Sequence, residues 1–459
     1  MDNVLDLVDH TIFSLERAAG TTSLIQGIWM YDRTIDLAAL RQFHARLQRG
    51  RLARRIELSA LPFGRHRWVT AETTTPLELG AARPRADFDA WLEEQAATPL
   101  DAERGPGWHL AVLPFTDGGA GISLVASHCV TDAVGLCQAL ADAVSGAACG
   151  DGAGPTWPAA GTRGKLRGLG EDICRTLRDI PDIGRAAVAA ARFVRRNSAA
   201  SAPSTRSATL LTPMSSAPRD PDTNPTVTVF VDAAEWESRA ATLGGTSNTL
   251  LAAVAARLAQ RIGRVADDGT ATLTMPISQR RDGDTRANAI TNVDITVTPT
   301  TSDLRTIRAA TKSALSRAQE QPDERWTLLP LVPLAPAGVR RQWADTATNS
   351  AASVGASNVG TIPAAVLRID GFDADRFAMR SVVSGLTPQM RHRQGGLLSV
   401  LSGLAHGAVF LSVTGWQPGS LQSEDALRQC LSESLDDFAL TVVGSTADSL
   451  STMRTTGKS

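Results

Sequence analysis

The chain has 459 residues, 43% of them hydrophobic and 20% charged, and its 46 basic and 47 acidic residues leave a formal net charge of −1. This length exceeds one ordinary core and predicts two lobes, while the near-neutral balance argues against nucleic acid as a partner. Five cysteines (Cys129, Cys137, Cys149, Cys174, Cys430) without a CxxC spacing exclude a disulfide framework and a structural zinc site.

The acidic start (Asp2, Asp6, Asp9, Glu16) and the lack of a long uncharged apolar run lead to the expectation of a cytoplasmic protein without signal peptide or membrane span. From Asp36 to Arg49, Leu37, Leu40, Phe43 and Leu47 recur at helical spacing. Arg67–Ala71, Leu110–Pro114 and Ile122–Ala126 read as strands, the last as a buried one, and Gly118–Gly121 before it as a turn. Asp132 is placed to cap a helix carrying Val134, Leu136, Cys137, Leu140 and Val144. Gly146–Gly164 reads as a loop.

Lys165–Arg196 reads as an arginine-rich helix interrupted at Pro181, either packed on its lobe or lying against an anionic membrane surface or acidic carrier. Ser198–Pro225 is dense in Ser, Thr, Pro and Asp and is the predicted crossing between lobes. Strands are then predicted at Thr226–Val231, Thr272–Pro276, Val293–Val297 and Ala408–Val413, and helices at Thr249–Ile262 and Glu424–Leu440. The apolar, proline-punctuated Trp326–Val339 reads equally as an acyl-pocket lining or a packed loop. These elements divide the chain into lobes 1–185 and 226–445, a linker 186–225 and a disordered tail 446–459, with α/β character in both halves.

One residue points to chemistry. His128 sits where the strand ending near Ala126 turns into the helix opened by Asp132, and an imidazole titrating near neutrality suits proton abstraction from a hydroxyl or amine. A lone histidine is more often structural, and Asp132 is explained by its cap alone. Ser127, His128 and Asp132 do not form a nucleophilic triad, because adjacent strand residues point to opposite faces. G-x-S-x-G, H-E-x-x-H and Walker sequences are absent. Cys129 reads as a buried thiol.

The stretch Ser127-His128-Cys129-Val130-Thr131-Asp132-Ala133 resembles the His-His-x-x-x-Asp-Gly signature of the condensation-domain superfamily, with His128 as its second histidine and Asp132 as its aspartate. Further segments resemble the wax ester synthase/diacylglycerol acyltransferase branch, in family order: Leu61–Arg65 with Trp68, Pro99–Asp101 with Gly105–Trp108, Thr246–Ala252, Met275–Arg280, Ala287–Asn288 and Ser357–Gly360. The chain departs from the signature at Ser127, in place of the first histidine, and at Ala133, in place of glycine.

The resemblance implies two chloramphenicol-acetyltransferase-like lobes in a V-shaped pseudo-dimer with a central tunnel. It implies transfer of an acyl group from a thioester, acyl-CoA or acyl-carrier protein, to an alcohol, with His128 as general base. Asp132 is then structural and pairs with Arg280, and Ser127, Ala133, Ser278 and Asn358 line the site. No bound cofactor or metal is expected; the thioester is a co-substrate. Two alternatives stand beside this reading. One is a stand-alone condensation-type enzyme of natural-product biosynthesis that forms an ester or amide. The other, suggested by Ser127 and Ala133, is a catalytically inactive binding homologue.

Overall fold

Two β-sheets carry the fold in a computed structural model that describes residues 3–72, 74–146, 157–162, 164–200, 224–320, 324–348 and 353–446. The first half runs α1 (Leu7–Ala19), β1 (Thr22–Tyr31), α2 (Leu37–Leu47), β2 (Arg54–Glu57), β3 (Arg67–Thr70), β4 (Leu77–Leu79), α3 (Phe88–Ala96), β5 (Trp108–Pro114), β6 (Ala120–Ser127), α4 (Ala133–Ser145) and α5 (Lys165–Ala200). The second continues with β7 (Thr226–Asp232), α6 (Ala233–Thr242), α7 (Ser247–Arg261), β8 (Ala271–Ser278), β9 (Ile290–Val297), α8 (Arg305–Glu320), α9 (Glu324–Thr327), α10 (Ala337–Thr348) and β10 (Ser353–Thr361). It ends with β11 (Arg376–Ser384), α11 (Pro388–Gln394), β12 (Leu397–Ala405), β13 (Ala408–Trp416), α12 (Glu424–Asp436) and β14 (Val442–Ser445).

The five-stranded sheet has the order β11-β1-β6-β5-β4 and the seven-stranded sheet β14-β7-β13-β12-β10-β8-β9. β1 is buried from Leu24 to Tyr31. Apart from Gln26, which donates to Leu92 O and Ser123 Oγ, the buried run is apolar, as in the middle of a covered sheet where neither face meets water. Its neighbour β6 is buried along its whole length. Packing α2 and α4 on this sheet places Leu40, Phe43, Leu136 and Leu140 in the first core. In the second half α7 is buried almost all round, from Thr249 to Ala256, between β-sheet and the helices α6, α8 and α12. Its alanine-rich sequence permits that close approach on several sides.

One strand departs from chain order. Arg376–Ser384 falls in the second half, yet β11 pairs antiparallel with β1 over nine residues, from Thr22↔Ser384 to Met30↔Arg376. Phe377, Ala378 and Met379 are fully buried there. The edge of β1 that β6 leaves free is buried, so another strand is needed to satisfy its backbone groups and cover it.

α5 runs through Pro181 without interruption. The proline removes one N–H from the ladder, and it does so beside the exposed Leu177 and Ile180, where water reaches the freed carbonyl. One face of α5 is docked: Asp172, 4% exposed, accepts hydrogen bonds from Ser59 Oγ (2.6 Å) and Arg67 Nη2 (3.3 Å). Leu166, Ile173, Leu177, Ile180 and Val188 lie on the other, exposed face. Residues 326–339 form the end of α9, a 3₁₀ turn at Leu329–Leu334 and the start of α10, packed against α1 and α5. Linker residues 201–223, the tail beyond residue 446 and most of the loop 146–164 lie outside the described residues.

Candidate active site

The β1/β6 register pairs Leu24 with Ser127, the last residue of β6, so Ser23 lies opposite His128. His128 N–H donates to Ser23 O (2.8 Å), and Ser127 N–H donates to Gly107 O (2.9 Å). From the second half, Asn288 Nδ2 donates to His128 O (2.9 Å). The main chain of His128 is thus held from both halves of the molecule, while its imidazole is only partly buried. Nδ1 is buried and has no hydrogen-bond partner among the described residues, which leaves Nε2 as the nitrogen open to a substrate.

Asp132 caps α4 and ties the halves together. Its Oδ1 accepts from Gly135 N–H (2.6 Å), and its Oδ2 from Arg280 Nη2 (2.7 Å) and Ala289 N–H (2.8 Å). Its own N–H donates to Ala287 O (2.9 Å). Arg280 is further fixed by donating to Ala287 O (2.8 Å) and Arg286 O (3.1 Å). The side chains of the pair are only 3% and 4% exposed, so each charge is compensated by several groups, as burial requires. Gly135 makes room for the pair: a Cβ there falls 2.9 Å from Arg280 Nη2 and 3.0 Å from Asp132 Oδ1.

Two further buried charges, Asp9 and Arg54, lie behind the turn. Asp9, from α1, is fully buried and accepts from Ala287 N–H (2.9 Å), Asn288 N–H (2.7 Å) and Asn288 Nδ2 (3.1 Å). Burial pushes its pKa up to about 6, against the pull of Arg54 and these donors. Arg54 donates to Val130 O (2.7 Å) and Thr285 O (2.6 Å) and lies 4.2 Å above the Trp68 ring. Burial lowers its pKa to about 10.

The other expected site residues are placed as follows. Ser127 is 1% exposed, and its Oγ accepts from Cys129 N–H (3.2 Å) inside the turn. Ala133 begins α4 and is partly buried. Ser278, exposed at the end of β8, meets the cluster through its Oγ, which accepts from Arg280 N–H (3.3 Å). Asn358 lies at a β-bulge in β10; it donates to Asn248 Oδ1 and accepts from Gly360 N–H (2.8 Å), so its hydrogen bonds stay in the second half. Cys129 is buried, and its thiol donates to Glu16 Oε2 (3.1 Å); burial and the Glu16 charge push its pKa well up, which makes it a poor nucleophile.

Sequence reasoning missed Asp9, Glu16, Arg54 and Gly135. The acids stood out only as an acidic N-terminus, and a glycine two positions after Ala133 was the available sign that the helix start is crowded. Among the described residues no group of three or more His, Cys, Asp or Glu side chains is placed to hold a metal ion. None of the described helices is long and apolar enough to cross a membrane.

No protein-family model matches the sequence, and no curated protein sequence does. Solved structures do resemble the fold. The first condensation domain of the CDA synthetase aligns over 98% of each chain with a TM-score of 0.54 and 15% identity. The condensation domain of the monacolin K polyketide synthase aligns over 96% of this chain and 97% of its own, with a TM-score of 0.52 and 12% identity. The epimerization domain from the third module of tyrocidine synthetase B aligns over 95% of each, with a TM-score of 0.52 and 14% identity. The chain therefore has the α/β condensation-domain fold across nearly its whole length. Condensation and epimerization domains both adopt it, so the reaction has to be argued from the site.

Proposed function

We propose that the protein is a condensation-type acyltransferase that moves an acyl group from a thioester, acyl-CoA or acyl-carrier protein, to an alcohol, with His128 as general base. The observation that carries this reading is the hold on His128: its main chain is clamped by Ser23 and Asn288 from the two halves, while its imidazole stays partly open. Nε2 takes the acceptor's proton as the oxygen attacks the thioester carbonyl carbon. The tetrahedral intermediate then collapses, the C–S bond breaks, and the thiolate recovers the proton from the imidazolium. A thioester is already activated, so no covalent enzyme intermediate is needed. General-base assistance contributes roughly 10²- to 10⁴-fold, and holding both substrates in line contributes much of the rest.

Asp132 and Arg280 support the turn that carries His128 and have a structural role. The ordered segments resembling the wax ester synthase/diacylglycerol acyltransferase branch favour an O-acyltransferase. The similarity to condensation domains of synthetases favours the second reading, a stand-alone condensation-type enzyme fed by a carrier protein. The test is thiol release with a panel of acyl-CoAs and acyl-carrier proteins against alcohols and amines. Release that needs both substrates and is lost in His128→Ala supports acyl transfer, and the preferred pair chooses between the two readings. Absence of release from every pair makes the protein a binding homologue.

A further inference from the structure

The long helix α5 is docked by one face and bare on the other. Leu166, Ile173, Leu177, Ile180 and Val188 are 43% to 87% exposed. Their spacing returns them to one side of the helix, so they form a single apolar stripe. Arg178, Arg185 and Arg192 recur every seventh residue and make a row along one edge of that stripe. Along the opposite edge, the exposed Phe63 and Leu334 stand beside Thr176 and Ile183 of α5 around a cavity of about 30 Å³, room for a water molecule or two. The charges are sorted as well. The acids of α5 are taken: Glu171 by Arg167, Asp172 by Arg67, Asp179 by Arg65 and Arg175, and Asp182 by Arg185. Arg178, Arg192 and Arg195 are exposed and form no ion pair or hydrogen bond among the described residues. The charge left over on this face is therefore positive throughout.

We propose that α5 lies flat on an anionic phospholipid surface. The apolar stripe, with Phe63 and Leu334 beside it, sinks into the boundary between headgroups and acyl chains, and Arg178, Arg192 and Arg195 reach the lipid phosphates. Three observations favour a bilayer over a protein on this face. The stripe is convex, and the recess beside it admits water but no anchoring side chain, whereas protein partners are held by anchors that fill pockets. The unpaired arginines of one copy would repel those of a second copy docked on the same stripe. A row of cations along one edge of an apolar stripe matches the layered chemistry of a lipid surface, phosphate above and hydrocarbon below. The contact is peripheral, since no described helix is long and apolar enough to cross a membrane. It is independent of the chemistry proposed at His128.

The experiment is flotation of the full-length protein with vesicles of equimolar phosphatidylcholine and phosphatidylglycerol, beside vesicles of phosphatidylcholine alone. The wild-type protein floats with the anionic vesicles, and less so as salt is raised, because the arginine contribution is screened. Leu177→Glu with Ile180→Glu lowers partitioning roughly 100-fold or more. Arg178→Gln with Arg192→Gln lowers it about fivefold per arginine. Leu315→Glu, on the exposed side of α8, floats like wild type. Wild-type protein that stays with the buffer overturns the proposal, and so does flotation undiminished by Leu177→Glu with Ile180→Glu. If that variant does not fold by circular dichroism, hydrogen exchange of the wild type decides: slower exchange within 166–188 on anionic vesicles supports the contact, and unchanged exchange there overturns it. Sedimentation covers the other occupants. A dimer, or a complex with an acidic acyl-carrier protein, that is lost in the stripe variant while vesicles are ignored puts a protein on this face and overturns the proposal.

Discussion

The two halves of the molecule meet in two chemically different ways. At β11 the second half lends a strand to the first sheet, through nine backbone-paired residues and buried side chains that are mostly apolar, such as Phe377, edge-on to Trp29 at 5.1 Å; inside the paired stretch lies the buried Arg380, held by Gln26 (2.6 Å) and Glu93 (2.8 Å). At the His128 turn the halves meet through the buried ion pair Asp132–Arg280 and through the buried Asp9 and Arg54 of the first half, which bind main-chain groups of residues 285–289. Strand pairing and apolar burial supply stability with little dependence on pH. Buried charges fix one geometry, because each unpaired group is expensive. The candidate base sits in the second kind of junction, where position matters most.

The largest expected difference between the junctions is in activity. His128→Ala lowers turnover by roughly 10²- to 10⁴-fold with an unchanged melting curve, measured by thiol release beside circular dichroism. Unchanged turnover in this variant would refute the mechanism.

Next come two truncations of similar cost but different consequence. Asp132→Ala strands the Arg280 charge and removes a helix cap, for roughly 3–5 kcal/mol from the pair and about 1 kcal/mol from the cap. Phe377→Ala costs about 3–5 kcal/mol through a cavity. Chemical denaturation gives both values, and near-equal losses sharpen the contrast if only Asp132→Ala also impairs transfer beyond its folded fraction. An Asp132→Ala protein that melts like wild type yet is inactive would make Asp132 a direct participant in the reaction.

Acid is expected to loosen the charged junction selectively. His10 and His66 lie beside it with ring centroids 4.5 Å apart and ring planes tilted by 37°. Burial, with like charges nearby, lowers His10 to about 3 and His66 to about 4. Both are neutral in the folded protein, so the unfolded chain binds more protons, and stability falls as pH drops from about 6.5 toward 4. Asp9, raised to about 6, acts in the opposite sense over its own window, its contribution growing as pH falls from 6 toward its unfolded value. The two histidines outweigh it, for a net loss of a few kcal/mol at about 1.4 kcal/mol per unit. Denaturant midpoints at pH 7 and pH 4.5 measure the slope, and Asp9→Asn steepens it.

Smaller again is Gly135→Ala. The added methyl meets Arg280 Nη2 and Thr131 Oγ1 at 2.9 Å and has to displace the ion pair, at roughly 1–3 kcal/mol; a crystal structure of the variant with the pair in place would show that the turn yields instead. The smallest effect is expected from chelation. EDTA leaves transfer unchanged, and loss of activity restored by zinc or magnesium would mean the site chemistry is different.

Much of the site was legible locally. The apolar run Ile122–Ala126, the histidine after it and the aspartate opening a periodic helix gave β6, His128 and the cap of α4 within a residue or two of their places, because strand burial and helix capping are short-range preferences. Arg280 was reached only through the resemblance of Met275–Arg280 to a family segment. Ser278 and Asn358, chosen the same way, make their hydrogen bonds away from the His128 turn, apart from the link of Ser278 to the Arg280 main chain. Asp9, Glu16 and Arg54 carry no motif, since what matters about them is what surrounds them after folding.

By itself, then, the sequence determined an α/β chain in two halves, the position of a histidine at a strand end and the start of the helix behind it, all set by periodicity and capping over a few residues. Only the tertiary structure decided that β11 crosses to the first sheet, that the 285–289 loop closes over the His128 turn, and that Asp9 becomes a buried and Glu16 a partly buried carboxyl there. Those contacts join residues more than a hundred positions apart. They are selected by burial and by the need to satisfy every buried charge and backbone group, conditions that exist only once both halves have packed.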